Sequence, residues 1–237
     1  MIAYELDQSV AVVTLDSGEN VFNPPFLEGF LAVLDQVETE TVARTLVVKS
    51  AHSKIFSNGI DLEWLAPIIE QKDLKTSKAF FYTLNRLFRR LVTYPLITIA
   101  AITGHAFAGG AILCCAFDFR WMRSDRGFFC LPEVDLGIPF LPGMNALLQK
   151  AIPQYKLEEM QYTGARLTAE ECEQHHIVMK ACHGDELMDA TLDYAHRLNK
   201  NRAVVAEIKK RLNGEIVRVI DEDDPPYIES GQFNITL

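Results

Sequence analysis

Apolar residues follow two different spacings along the first half of the chain. Short unbroken runs, VAVVTL (10–15), TLVVKS (45–50) and LITIAAITG (96–104), are rich in β-branched residues and end in turn formers. They have the length and composition of buried strands, and DFRWM (118–122) is a fourth. Between them the spacing changes. After a cap at Asn23 and a first-turn Pro24, residues Phe26, Phe30, Val33, Leu34 and Val37 recur at helical intervals. Phe80, Phe81, Leu84, Leu87, Phe88 and Leu91 mark a long amphipathic helix over 74–93, stopped at Tyr94-Pro95. Strands alternating with helices predict an α/β fold with parallel pairing. The second half reads as helical, with a capping box at Thr168 and Glu171 and helical patterns over 186–199 and 202–219. The tail DEDDPPYIESGQFNITL is acidic and proline-bearing, and reads as an extension, mobile or draped over a neighbour. No linker divides the chain. The expected organisation is a core over 1–185 followed by a helical region and acidic tail over 186–237.

Composition narrows the classes. Hydrophobic residues make up 49% of the 237, ample for a core. A net charge of −9 argues against nucleic acid as a partner. The basic clusters Arg86/Arg89/Arg90 and Lys209/Lys210/Arg211 read as solvated helix faces. No apolar run approaches the roughly 18 residues needed to span a bilayer. Five cysteines without a CxxC pair suit reduced thiols, and no secretory segment opens the chain, so the expected compartment is cytoplasmic. Cys172, His176, Cys182 and His183 lie near one another in sequence, but a zinc site would need all four to converge, and no metal is expected.

Two glycine-bearing turns carry the candidate chemistry. KIFSNGIDLEWL (54–65) follows the second strand, with Asp61 placed to cap a helix from Leu62. Gly59 permits a positive φ there and can turn the Ile60 N–H outward. In HAFAGGAILCCAFD (105–118), Gly109 and Gly110 open an otherwise apolar helix. A helix N-terminus collects unpaired N–H groups, and a glycine pair lets another group approach them. One donor from each turn, Ile60 and Gly109, would make a two-donor oxyanion hole. Glu133 follows Pro132 among Phe128, Phe129, Leu131 and Phe140, where apolar surroundings should raise its pKa. Asp135 reads as structural, and His105 as a satisfied polar group at its turn.

Three segments in this order, KIFSNGIDL, ITGHAFAGGAILCCAFDFRWM and GFFCLPEVDLGIPFLPG, make the chain resemble the crotonase superfamily of enoyl-CoA hydratases and isomerases. YTGARLTAEECEQHHIV is a weaker echo, and the likeness extends over about residues 1–215. The resemblance implies an α/β spiral of ββα units with a C-terminal helical region, assembled as homotrimers or dimers of trimers. It implies an acyl-CoA substrate, with coenzyme A as part of that substrate and no separate cofactor. The thioester oxygen would sit between the N–H groups of Ile60 and Gly109. Lys54, Phe56, Ser57, Gly59, Asp61, Leu62, Gly110, Ile112 and Phe140 would contact the substrate. Hydratases of the family use two glutamates; here Glu133 matches one, and Ile112 stands where the other would be. Ala108 takes the first place of the family's glycine triplet. Adding water needs a group to activate it, which isoleucine cannot do. A single base can still move a proton from C2 to C4, as in Δ3,Δ2-enoyl-CoA isomerases. The expected activity is therefore isomerisation of a 3-enoyl-CoA through an enolate. Hydration, thioester hydrolysis, decarboxylation and a non-catalytic binding role are the alternatives.

Overall fold

The computed structural model describes residues 1–231. The chain begins β1 (Ile2–Asp7), β2 (Val10–Leu15), β3 (Val21–Phe22), α1 (Pro24–Glu40), β4 (Thr45–Ser50), β5 (Ile55–Ser57) and β6 (Gly59–Ile60). It continues with α2 (Leu62–Glu70), α3 (Leu74–Val92), β7 (Ile97–Ile102), β8 (His105–Phe107), α4 (Gly109–Ala116), β9 (Phe119–Arg123) and β10 (Phe129–Cys130). Then come α5 (Glu133–Leu136), α6 (Pro142–Ala151), α7 (Gln154–Thr163), β11 (Arg166–Leu167), α8 (Ala169–Gln174) and β12 (Lys180–Cys182). It closes with α9 (Gly184–Arg197), α10 (Arg202–Leu212), α11 (Gly214–Arg218), a π-helical turn over Val219–Asp223 and α12 (Asp224–Ser230).

Six strands form one sheet in the order β1-β2-β4-β7-β9-β12, parallel except for the β1–β2 hairpin. A smaller sheet runs β11-β10-β8-β5, and β3 pairs with β6. Three long strands are each followed by a short one in the small sheet and then by a helix: β4, β5 and, after β6, α2; β7, β8, α4; β9, β10, α5. This repeated ββα unit is the expected architecture. It also explains the unbroken apolar runs. Ala11, Val13 and Leu15 of β2 face the core built on α1, α3 and α4, while Val10 and Val12 face α9 across the other side of the sheet. A strand covered on both faces shows no polar alternation.

Asn23 caps α1 through the Phe26 N–H, and the Thr168–Glu171 box starts α8, as their sequences imply. The 202–219 pattern is interrupted at Asn213, which is buried and donates to the Val92 carbonyl at 2.7 Å. The tail differs from its expected form through residue 231. Pro225 and Pro226 sit in the first turn of α12, which packs on the body. Asp224 is fully buried and accepts from the Gly143 N–H at 2.7 Å and from Asn85 at 2.8 Å. The rest of that tail, including ITL, lies outside the described residues.

Candidate active site

The first turn is built to present one amide. Ser57 Oγ donates to the Asn20 carbonyl at 2.7 Å and accepts from the Gly59 N–H at 3.1 Å. Gly59 has a φ of +78°, a conformation costly for other residues. Asp61 caps α2 by accepting from the Trp64 N–H at 3.0 Å, and Asn23 Nδ2 holds its other oxygen at 3.1 Å. The Asp61 N–H donates to the Phe22 carbonyl on β3 at 3.1 Å. Successive amides along a strand point to opposite sides, so the Ile60 N–H faces away from β3. The second turn lies beside it: a Cβ added to Gly109 would lie 3.3 Å from the Ile60 nitrogen.

The second turn aims its amide by peptide geometry. The Ala108 carbonyl accepts from the Ala111 N–H at 2.9 Å and the Ile112 N–H at 3.1 Å, which starts α4. Across a trans peptide the C=O and N–H point in opposite directions. The Gly109 N–H is therefore directed away from the helix body. Gly110 is fixed for a different reason, because a Cβ there would collide with the Ser57 carbonyl.

Both turns border a cavity of about 420 Å³. Leu62, Leu65 and Ile69 of α2 form one wall, Phe81 of α3 and Met144 of α6 another, with Phe140 and Ile112 completing an apolar lining. Glu133 lies on the same wall at 7% exposure, and its Oε2 has no hydrogen-bond partner. Burial pushes its pKa up from 4.5 to about 7. Glu70 and Tyr227 also border the cavity, but both are exposed. The arrangement can hold an oxyanion on backbone amides, keep apolar chain dry, and move a proton at one buried carboxyl.

Of the residues expected in the site, the structure brings Glu133, Ile60, Gly109, Leu62, Ile112 and Phe140 together on this cavity. Lys54, Phe56, Ser57, Gly59, Asp61 and Gly110 do not line it. Lys54 is exposed and its carbonyl accepts the His105 N–H at 2.8 Å, tying β5 to β8. Phe56 is core, and Ser57, Gly59, Asp61 and Gly110 shape the turns. His105 Nδ1 accepts from the Phe128 N–H at 3.2 Å, while Asp135 is an exposed residue of the α5 turn. Among the described residues no group of three or more His, Cys, Asp and Glu could hold a metal, and no helix is long and apolar enough to cross a membrane.

Several wall residues were not legible beforehand. Phe81 could be read only as core or wall, and Met144 not at all. Tyr227 was hidden in the supposed extension; the signal available was Pro225-Pro226 after an acidic run, since proline is tolerated in a helix's first turn.

The enoyl-CoA hydratase/isomerase family model matches residues 5–223. An Arabidopsis thaliana protein named enoyl-CoA delta isomerase 3 is 30% identical, over 86% of this chain and 87% of its own. A short-chain-enoyl-CoA hydratase of Clostridium acetobutylicum is 26% identical, over 89% of this chain and 79% of its own. The crystal structure of a probable enoyl-CoA hydratase from Mycobacterium tuberculosis superposes with a TM-score of 0.87 at 20% identity, covering 98% of this chain and 96% of that one.

Proposed function

The chain belongs to the enoyl-CoA hydratase/isomerase family, and within it we propose that this member shifts the double bond of a 3-enoyl-CoA to the 2-position. The observation that carries this reading is that, among the described residues, the cavity has one buried carboxyl. Glu133 is buried there, and Ile112, at 1% exposure, occupies the wall where a second acid would be needed to activate water.

The thioester carbonyl accepts from the Ile60 and Gly109 N–H groups. Those donors stabilise the enolate as negative charge moves onto oxygen. The ionised Glu133 takes one C2 proton, and the C2–H electron pair enters the conjugated dienolate. The same carboxyl, now neutral, returns the proton to C4, and the double bond settles between C2 and C3. A pKa near 7 suits a group that must first accept and then give up this proton. Apolar walls from Ile112 and Phe140 keep water from competing for it.

Hydration is the second reading. It is favoured by the name of the Clostridium relative and by Glu70, an exposed carboxylate bordering the same cavity. Purified protein assayed with 3-enoyl-CoA, 2-enoyl-CoA and saturated acyl-CoA separates the readings. Conversion of the 3-enoyl thioester without hydration of the 2-enoyl one is expected. Efficient hydration overturns the isomerase reading. Assembly as trimers belongs to the same proposal, and a monomeric mass in solution would contradict it.

A further inference from the structure

We propose that the Ala108 methyl group is a specificity determinant that restricts the acyl chain at C2, so that the site selects thioesters unbranched there. The inference rests on the reading that the thioester oxygen sits on the Gly109 N–H.

Five non-glycine residues among those described have positive φ, and Ala108 is the one that borders the cavity. Its φ of 50° and ψ of −125° are those of the first central position of a type II′ turn, which glycine dominates. A residue with a β-carbon is strained there, and strain at a site wall is a reason to ask what the side chain does. Preorganisation of the neighbouring amide is not the answer, because glycine would hold this conformation at lower cost. The methyl itself is what glycine would lack.

Its direction follows from the backbone. The Ala108 N–H donates to the Cys130 carbonyl at 3.0 Å, and its C=O is occupied by α4. Both polar groups are thus turned into the protein. Ala108 is nevertheless half-buried while Gly109 and Gly110 are buried, so the open part of the residue is its Cα–Cβ edge. That edge lies one peptide unit from the Gly109 donor. An oxygen on that donor brings its carbonyl carbon, and C2 beside it, against the methyl. Hydrogen at C2 fits this wall, and a C2 methyl meets it.

The test compares wild type with Ala108→Gly, using butanoyl-CoA and 2-methylbutanoyl-CoA as probes in calorimetry. Neither probe can isomerise, so binding reports on the wall whatever reaction the enzyme catalyses. Wild type is expected to bind the straight chain roughly tenfold tighter, the scale on which a pocket senses one methyl. Ala108→Gly should bring the two affinities close together and raise Tm by roughly 2–4 °C as strain is relieved. Equal discrimination in both proteins overturns the role of Ala108 and leaves the isomerase reading standing. Failure of wild type to bind either probe overturns both. Loss of discrimination in Ala108→Gly, in a protein that does not isomerise 3-enoyl-CoA, supports the wall and overturns only the isomerase reading.

Discussion

The two ends of α4 are treated in opposite ways. At its C-terminal end the carbonyls meet cations, Arg120 buried and Lys150 part-buried. Arg120 donates to Phe117 at 3.0 Å and Cys114 at 3.4 Å, and Lys150 to Phe117 at 2.7 Å and Cys115 at 3.4 Å. Lys209 stands behind them, paired with Asp118 at 2.5 Å and donating to the Leu96 carbonyl at 2.7 Å. Burial, then the Arg120 charge, pulls the Lys150 pKa down to about 8. At the N-terminal end there is no side-chain cap, only Gly109 opening on the cavity, with Gly110 packed against the Ser57 carbonyl. The negative end of the helix dipole is saturated by cations, while the positive end carries no side-chain cap and borders the cavity. Substitutions at the first end should therefore cost folding, and those at the second should cost turnover.

The largest effect is expected at Glu133, on the wall facing the bare end. Glu133→Gln keeps the shape and removes the base, so kcat should fall by about 10⁴-fold, the upper end for a general base. Binding of a saturated acyl-CoA should persist. Normal exchange of the C2 proton with deuterated water in this variant would remove Glu133 from the mechanism. The opposite end supplies the control. Lys209→Met leaves the part-buried Asp118 without its cation, although Thr98 still donates to it from N at 2.8 Å and from Oγ1 at 3.0 Å. Loss of one partner of a buried pair costs about 3–5 kcal/mol, and those two hydrogen bonds favour the lower figure. Urea denaturation should record this, with kcat per folded molecule unchanged.

Gly109 and Gly110 sharpen the contrast within one dipeptide. A Cβ at Gly109 would meet Phe22 at 3.0 Å and the Gly59 Cα at 3.1 Å, tight contacts with β3 and the first turn. Gly109→Ala should fold and lose about 10²- to 10³-fold in turnover, as when one oxyanion donor is disturbed. The bulkier valine would press on Gly59 backbone and confuse the two effects. Gly110→Ala drives its Cβ into the Ser57 carbonyl and should fail as a folded protein. Thermal melts beside initial rates separate the cases, and a Gly109→Ala enzyme of normal activity breaks the comparison.

The pH dependence isolates Glu133 more gently. Its folded-state pKa of about 7 lies above the ordinary 4.5, so between these values the native state holds more protons than the unfolded chain. Its contribution to stability is present below pH 4.5 and is lost as pH rises through 7, an effect on the order of 3 kcal/mol. Subtracting the Glu133→Gln profile from wild type should leave that single slope, since the buried Asp224, raised to about 6, titrates in both proteins. As a base the group must be ionised, so kcat/KM should climb through pH 7 and then level off. A flat profile between pH 5 and 8 would contradict both roles.

Much of this was legible because the physical signals were local. The buried runs at β2 and β4 fall where their apolar stretches lie, and Asn23-Pro24 marks the start of α1. The short strands β5, β8 and β10 did not register, because two or three residues are too few to show a period. Their pairing comes from the long sheet that delivers them. The three segments with family likeness pointed to Glu133, Ile60 and Gly109, which line the cavity, but likeness alone could not separate residues that touch it from those, such as Ser57, that hold the turn. The Tyr227 wall was missed because its helix is acidic and its one deeply buried polar group, Asp224, is satisfied by residues far off in sequence.

The smallest effect, and the one that bears most directly on the reaction, is expected from Ile112→Glu. Position 112 lies three residues past Gly109, about one helical turn, and shares the cavity wall with Glu133. Isoleucine there offers no group to orient or deprotonate water. A carboxylate could do both, placing an activated water at C3 while Glu133 manages the C2 proton. Two costs oppose this. A carboxyl at a site only 1% exposed will be held largely neutral unless it finds donors, which lowers the fraction able to act as base. A second acid near Glu133 would raise both pKa values further. The expected outcome is therefore hydration of 2-enoyl-CoA measurable above wild type, slow, and increasing with pH, alongside reduced isomerisation. A folded variant that binds acyl-CoA yet hydrates no faster than wild type would show that this position does not by itself separate the two reactions.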